Sequence, residues 1–232
     1  WQEIEIEYFG QAAHAAADPE NGINALNAIL FVFHGIDSLR QHVKSSVRMH
    51  GVITHGGVAP NVTPDYARAR FFVRAQSLAE TAELAEKVRG IAEGGASMSG
   101  ARLQFTLPHP PYADVVPNYG MQRRIKHYLD GLGMHLPDAH PEPGRGSTDV
   151  GNVSYIAPTA CAGFPITEGR VPWHSRIVND AAGTDSAYEA MFTAGKSVAL
   201  TGLEYLEDVS RIEEAKAEWC KHLEARGASA PS

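Results

Sequence analysis

The sequence contains little cysteine and no long apolar run. Its 232 residues include only two cysteines, Cys161 and Cys220, which are too few and too far apart to indicate a disulfide framework or a thiolate zinc site. This usage favours a reducing compartment, and we expect a cytoplasmic protein. No apolar stretch approaches the roughly 18 to 20 residues that cross a bilayer, and the start lacks the charged and apolar regions of a signal peptide. We therefore expect no membrane partner.

Clustered positive charge is also missing. The formal net charge is -7, and lysines and arginines do not form a run. Since clustered cations supply most of the affinity for a phosphate backbone, nucleic acid is excluded as a partner. The 44% of hydrophobic residues is enough for a sizeable core, and the length suggests two small domains.

The first half of the chain has the pattern of a split βαβ fold. Ile4, Ile6 and Tyr8 alternate with acidic residues, which predicts a strand with one wet face. Apolar residues at three- and four-residue spacing then predict a helix, capped by Asn21 or Asn24 and ending near Arg40. The remaining predicted elements are strands at 47–55, 66–74 and 102–107, and a helix from Ser77 to Gly94 and Gly95. Their order predicts a four-stranded sheet with both helices on one face.

The second half is predicted to be mainly helical. Prolines 108, 110 and 111 mark a boundary between domains 1–108 and 109–232. Helices are predicted at 118–129, 181–206 and 209–223, with a long loop at 136–148 and one short strand at 153–156. Because one strand cannot make a sheet, we expect this domain to lack its first part. The chain also begins inside a strand without methionine, so we interpret its beginning as a cut, natural or experimental.

Two loop residues are candidates for contact with a reacting group. His14 is flanked by alanines, which leave the imidazole uncovered as a catalytic group requires; the alternative is an ordinary loop histidine. Asn61 lies between Pro60 and Pro64, which restrict the backbone so that its amide could donate to a carbonyl oxygen. Alternatively, Asn61 is a turn residue that bonds its own backbone.

Three further positions could bind a substrate or a metal. Arg74, at a strand end, could hold a carboxylate through its planar guanidinium or could be a solvated charge. The glycine-rich segment 144–152 suits a loop that approaches a ligand; Asp149 could orient a metal-bound group there, or it could be a helix cap. His174 suits a nitrogen ligand of zinc or a similar metal. No His-x-Asp, His-Glu-x-x-His or cysteine pair accompanies it, so spacing alone establishes no metal site.

Together these segments resemble the M20 metallopeptidase family, especially its branch of aminobenzoyl-glutamate hydrolases and aminoacylases. The resemblance covers nearly the whole chain, and the motifs fall in the family's order. They are Phe9-Gly10-x-x-Ala13-His14-Ala15, Gly56-Gly57-x-x-Pro60-Asn61-x-x-Pro64, Arg74, Gly146-Ser147-Thr148-Asp149-x-Gly151-Asn152 and His174.

The resemblance implies an α/β protein with two parts. A split βαβ lid would pair with the lid of a second copy in a homodimer, and the rest would belong to an α/β metallohydrolase catalytic domain. The implied activity is metal-dependent hydrolysis of an amide bond in a small substrate that carries a carboxylate. Two divalent ions per subunit, zinc, manganese or cobalt, would be the cofactors.

The resemblance also assigns roles to individual residues. The catalytic residues would be His14, which reaches into the partner's active site, and Asn61; both would stabilise the oxyanion. Substrate would be bound by Arg74, Gly146 and Ser147. His174 would ligate one metal, with Asp149 supporting the metal site.

The sequence departs from the family in two ways. The family's early His-x-Asp ligands, bridging aspartate and general-base glutamate should lie upstream of Trp1, so we expect this chain to be inert without an N-terminal segment of the same protein. Phe72 and Val73 also stand where many members carry an aspartate before the substrate arginine. The alternative is a non-catalytic module, derived from such an enzyme, that serves dimerisation or binds a small molecule.

Overall fold

The structure is a computed structural model that describes residues 1–136, 147–169 and 171–229. The chain divides into two compact units, which we call the N-terminal unit, Trp1–Asp114, and the C-terminal unit, Val115–Ser232. None of the helices in the described part of the chain is long and apolar enough to cross a bilayer.

The N-terminal unit contains four strands and two long helices. In chain order they are β1 (Gln2–Phe9), α1 (Ala25–Leu39), β2 (Arg48–His55), β3 (Tyr66–Arg74), α2 (Leu78–Ser99) and β4 (Arg102–Thr106). The strands form one sheet in the order β2-β3-β1-β4, and every neighbouring pair is antiparallel. The predicted fold class, mixed helix and sheet with a split βαβ order, is confirmed.

The core of this unit lies between one face of the sheet and the two helices. The alternation in β1 turns Ile4, Ile6 and Tyr8 toward the helices, and all three are fully buried. The Tyr8 hydroxyl donates to the carbonyl oxygen of Ala92 in α2 at 2.5 Å, and burial raises the pKa of this phenol well above its ordinary value. Helix α1 begins at its cap Asn24, whose side chain accepts from Asn27 N.

The other face of the sheet carries a ladder of charged side chains. Glu3 pairs with Arg70 and Glu5 with Arg68 across β1 and β3, and the Tyr66 hydroxyl donates to Glu7 at 2.6 Å. The acids of β1 therefore lie on the face opposite the helices, where Glu3 is itself buried, and their partners on β3 reinforce the register of the two strands.

The predicted end of α2 at Gly94 and Gly95 is wrong. The helix continues to Ser99 and ends at Gly100, whose φ of 76° suits a left-handed cap. Gly95 has a packing role, since a Cβ at this position would lie 2.7 Å from the Tyr8 hydroxyl oxygen. Glycine therefore lets α2 approach the sheet at this point and does not end the helix.

The C-terminal unit is helical in its described residues. The helices are α3 (Tyr119–Gly131), α4 (Val150–Ser154), α5 (Arg176–Ala182), α6 (Asp185–Glu207) and α7 (Val209–Glu224). The predicted helix at 181–206 corresponds to α6, but its predicted start is wrong. Ala181 and Ala182 end α5, the chain turns at Gly183, and Thr184 caps α6 by accepting from Ala187 N.

The predicted strand at 153–156 is also wrong, since α4 occupies its start. The Ser154 hydroxyl donates to Gly151 O at 2.6 Å and accepts from Val116 N at 2.8 Å. The Trp219 indole donates to Ser154 O at 2.7 Å. These hydrogen bonds satisfy the polar groups of a buried turn without any strand partner.

The described residues of the C-terminal unit cover only one face of helix α6. Ala194 packs with Ile125 and Leu129 of α3, and Glu204 pairs with Arg124 and Arg211. At about 100° per residue, its exposed apolar side chains cover an arc of about 200°. These side chains are Tyr188, Met191, Phe192, Val198, Leu200, Leu203 and Leu206, and we call them the α6 apolar face.

Candidate active site

Two loops of the N-terminal unit bring His14 and Asn61 to one end of the sheet. His14 lies in the loop after β1, and Asn61 in the loop between β2 and β3. The loops are joined by backbone hydrogen bonds from Ala15 N to Asn61 O and from Thr63 N to Ala13 O, both 3.0 Å long. His14 and Val62 also form an isolated antiparallel bridge. The two candidate oxyanion donors are therefore held on paired backbone segments.

Each of the two loops contains a position that requires glycine. Gly10 lies so near Ile23 that a Cβ would stand 2.0 Å from its carbonyl oxygen, which no side chain permits. Gly57 has a φ of 109°, a conformation that residues with a Cβ rarely adopt. Both loop conformations therefore depend on these glycines.

The His14 ring is exposed and is held by a tight turn. Its Nδ1 accepts from the backbone N–H groups of Ala16 at 3.2 Å and Ala17 at 3.1 Å. Its carbonyl oxygen accepts from Asp18 N at 3.0 Å. In the described part of the chain, Nε2 makes no hydrogen bond, so this nitrogen is available to a ligand.

Asn61 is exposed as well. Its carbonyl oxygen accepts the bond from Ala15, but its side-chain amide has no hydrogen-bond partner among the residues that the structure describes. The arrangement therefore differs from a turn asparagine that bonds its own backbone. The amide is free to donate at the same end of the sheet as His14.

Arg74 lies at the opposite end of β3. Tyr66, at the start of the strand, pairs with Phe9, and Val73, near its end, pairs with Gln2. At 3.3 Å per residue, the two ends of β3 are about 26 Å apart. The Arg74 guanidinium lies 5.8 Å from the centroid of the Trp1 ring. One copy of the chain therefore does not bring Arg74 together with His14 and Asn61.

The candidates in the C-terminal unit lie beside short helices. His174 is exposed and has a φ of 59°, a left-handed conformation that costs on the order of 1 to 3 kcal/mol for a residue with a side chain. It stands just before Ser175, the cap of α5. Asp149 and Ser147 are exposed before α4, and the Asp149 side chain does not cap that helix. Gly146 lies outside the described residues.

The described residues do not form a metal site by themselves. Among residues 1–136, 147–169 and 171–229, no group of three or more His, Cys, Asp and Glu side chains could hold an ion. His174 can supply at most one of the several ligands that a divalent ion needs. The donor set here does not fit a complete metal centre, so any such centre requires ligands from elsewhere.

The sequence patterns did not reveal the backbone groups that orient His14. The amides of Ala16 and Ala17 belong to residues with no polar side chain, so residue type gives no indication of their role. The position of His14 at the start of a tight turn is the sequence signal that could have indicated these backbone amides. A side-chain acceptor there satisfies the free N–H groups of the following residues, as at a helix N-terminus.

Comparison with known proteins gives matches along most of the chain. Residues 2–97 match the M20 peptidase dimerisation domain. The mouse Xaa-Arg dipeptidase is 31% identical over 222 residues, which are 94% of this chain and 51% of that protein. One of the subunits of the Escherichia coli p-aminobenzoyl-glutamate hydrolase is 23% identical over 90% of this chain and 55% of its own length. The chain thus spans about half the length of these relatives.

A solved structure supports the same fold. The aminobenzoyl-glutamate utilization protein from Klebsiella pneumoniae superposes with a TM-score of 0.57 and 23% identity over 66% of this chain and 39% of its own. The similarity of fold, the match to the dimerisation domain and the relatives aligned along the chain agree with one another. The chain belongs to the M20 peptidase family.

Proposed function

We propose that this chain takes part in the metal-dependent hydrolysis of an amide bond in a small substrate that carries a carboxylate, with most metal ligands supplied by an upstream segment of the same protein. The observation that carries the proposal is the pairing of His14 and Asn61 on two exposed loops, each with a side-chain nitrogen that has no hydrogen-bond partner among the residues that the structure describes. The names of the relatives, a dipeptidase and a glutamate-conjugate hydrolase, support an amide bond near a carboxylate.

In this proposal His14 and Asn61 act on the carbonyl oxygen of the scissile amide. That oxygen becomes negatively charged when water adds to the carbonyl carbon. Donors already oriented toward it stabilise the charge without reorganisation, and losing one donor typically costs a hundredfold or more in turnover. The fixed loops, built around Gly10 and Gly57, provide this orientation.

Arg74 would bind the substrate carboxylate in a site shared between two copies. Because about 26 Å separates the two ends of β3, one small substrate does not reach both Arg74 and His14 of the same chain. We therefore propose a homodimer in which His14 and Asn61 of one copy serve the site that contains Arg74 of the other. The match to a dimerisation domain supports this arrangement.

The edge strand β2 is the surface that we propose for dimerisation. Within the described residues it pairs only with β3, so its other edge presents backbone donors and acceptors that can continue a sheet. Val52 and Ile53 of this strand are 59% and 37% exposed, one on each face of the sheet. Exposed apolar side chains in an edge strand suit a second copy.

His174 would be one ligand of the metal centre, and Asp149 would support that centre. Two divalent ions, zinc, manganese or cobalt, would activate a water molecule and polarise the amide carbonyl. Ser147 and Gly146 would contact the substrate, the latter outside the described residues. The α6 apolar face supports the proposal of an upstream segment, because a helix with so wide an exposed apolar arc needs a layer that covers it.

The test is hydrolysis by the chain with and without the upstream segment. The substrates to compare are dipeptides and aroyl-glutamates. Each is assayed with zinc, manganese or cobalt added. We expect turnover only when both parts are present, and a loss of roughly a hundredfold or more in kcat for His14→Ala. His42→Ala, an exposed histidine of the same unit, is the matched control and should keep full turnover.

Two results would contradict the proposal. Turnover that is equal in His14→Ala and His42→Ala would remove His14 from the site. A full-length protein that binds metal but hydrolyses no amide would favour the non-catalytic module. The proposed role of Arg74 in carboxylate binding is tested by Arg74→Ala. Substrates with a free carboxylate should bind this variant more weakly, whereas substrates without one should bind it as they bind the wild type.

A further inference from the structure

The hydrogen bonds around His14 determine which ring nitrogen carries the proton. Two backbone N–H groups, from Ala16 and Ala17, converge on Nδ1. A backbone amide can only donate, so Nδ1 must offer its lone pair to both of them. In the neutral ring, one nitrogen is a donor and the other an acceptor. The ring hydrogen therefore lies on Nε2.

The turn that supplies these two amides is held by contacts that do not involve the ring. Asp18 N donates to His14 O at 3.0 Å, and Ala15 N donates to Asn61 O at 3.0 Å. The Asn21 amide donates to the Asp18 carboxylate at 2.6 Å. Because the backbone is fixed independently, the two N–H groups are in place before any ligand binds.

We propose that the Ala16 and Ala17 amides are positioning groups that lock His14 as an Nε2–H hydrogen-bond donor. This inference rests on the proposed function and specifies the chemistry of its histidine. A ring in this tautomer presents a hydrogen to an anionic oxygen, as an oxyanion or a carboxylate requires. It does not present a lone pair at Nε2, so His14 serves neither as a metal ligand nor as a general base.

The lock also explains why alanines surround this histidine. Donation to Nδ1 needs a backbone N–H at each of the two positions, and small side chains leave the exposed ring accessible. Turning the ring by 180° about its last bond would bring a carbon next to both amides and lose two hydrogen bonds. The loss of both hydrogen bonds disfavours the turned ring, so the orientation that keeps them is preferred.

The test is nitrogen NMR on the intact chain with histidine labelled in the ring. The His14 signals are assigned by their loss in His14→Gln. We expect Nδ1 to show the shift of an unprotonated ring nitrogen that accepts hydrogen bonds, and Nε2 the shift of a protonated one. His42, exposed and without a ring partner in the described residues, should show averaged shifts in the same spectrum. A proton on Nδ1, or averaging like that of His42, would overturn the proposal.

Two variants test the part assigned to the amides. Ala17→Pro and Ala16→Pro each remove one N–H donor in an exposed turn, away from the buried core. We expect either variant to move the His14 signals toward those of His42, while the remaining histidine signals stay in place and report that the fold is intact. Signals of His14 that stay unchanged in both variants would show that the amides do not set the tautomer.

These measurements need no activity, so they separate the two proposals. A locked Nε2–H tautomer together with unchanged turnover in His14→Ala would preserve the inference about the ring and refute the catalytic role. A ring without a fixed tautomer, together with turnover lost in His14→Ala, would refute the inference about the ring and preserve the catalytic role.

Discussion

The two units of this chain bury apolar surface to different extents. In the N-terminal unit, the sheet and both helices share one core of nineteen buried residues. In the described part of the C-terminal unit, the two buried clusters contain three residues each. Ile29 of α1 is 0% exposed, whereas Phe192 of α6 is 64% exposed. The first unit closes around its own side chains, and the second leaves its longest helix partly uncovered.

The difference follows from which elements each unit contains. A helix or a sheet has one apolar face that must be covered by another layer. The split βαβ order supplies both layers within about a hundred residues. The described helices of the C-terminal unit cover one another only in part, and the relatives are about twice as long.

The largest effect should come from comparing a core residue of the first unit with the α6 apolar face. Ile29→Ala should lower the free energy of unfolding by about 2 to 5 kcal/mol, because it leaves a cavity in a closed core. Phe192→Ala, which removes a larger side chain, should change it by less than about 0.5 kcal/mol in this chain. Urea unfolding measures both. Equal losses would refute the contrast between the units.

A smaller effect is expected at the site loops. Gly10→Ala should destabilise the N-terminal unit by about 1 to 3 kcal/mol, because the added Cβ overlaps the Ile23 carbonyl. Gly90→Ala is the control, since this exposed position of α2 has no heavy atom within 4 Å of the added Cβ. There alanine should stabilise the helix by about 0.5 to 1 kcal/mol. The same sign for both changes in thermal unfolding would contradict the packing of Gly10.

Buried hydrogen bonds join the elements of the C-terminal unit in addition to its small apolar clusters. Asn118 is fully buried; its oxygen accepts from Met121 N, and its amide donates to Ala215 O. Asn118→Ala should cost about 1 to 2 kcal/mol through the lost cap and the unsatisfied carbonyl. Asn179→Ala, at an exposed position, should cost much less. Chemical denaturation monitored by the loss of helical circular dichroism distinguishes the two variants.

The smallest effect should be the pH dependence of the ion pairs. Burial works to raise the pKa of Glu204, but hydrogen bonds from Arg124 and Tyr128 outweigh it and lower the pKa. In the N-terminal unit, the bond from Lys44 lowers the pKa of Glu80. A lowered folded pKa stabilises the fold above the unfolded value of about 4.3, and this contribution is lost as the pH falls further.

Chemical denaturation at several pH values between 3 and 7 checks this dependence, with the pH values chosen to bracket about 4.3. The difference in stability between the wild type and Glu204→Gln should be largest at neutral pH and should shrink in acid. A difference that is constant over the whole series would show that the ionised carboxylate does not contribute.

The sequence was informative where one pattern dominates. The alternation of Ile4, Ile6 and Tyr8 with glutamates identified β1, and Ser77 marked the start of α2. For α1 the sequence left Asn21 and Asn24 as alternatives, and the structure has Asn24 as the cap. The sequence was misleading where tertiary packing overrides local preference. Gly95 reads as a helix end but serves close packing against Tyr8, and the apolar residues after Gly151 form a turn held by Ser154 and Trp219.

The candidate site could be predicted only in part. The motif spacing identified His14, Asn61 and Arg74, but it did not show that a whole strand separates Arg74 from the other two. That separation depends on the antiparallel register of β1 and β3. The amides that orient His14 also escaped prediction, because backbone groups leave no mark in residue type. The assigned roles of all these residues stay predictions until they are tested by mutation.

The N-terminal unit covers its own apolar core, whereas the proposed function requires an upstream segment that would cover the α6 apolar face. Hydrogen exchange measured on this chain, alone and together with that segment, tests this contrast most directly. We expect strong protection of β1, β3 and α1 in both samples, and protection of α6 that rises markedly when the segment is present. Protection of α6 that is already as strong in the chain alone, and unchanged by the segment, would contradict the account.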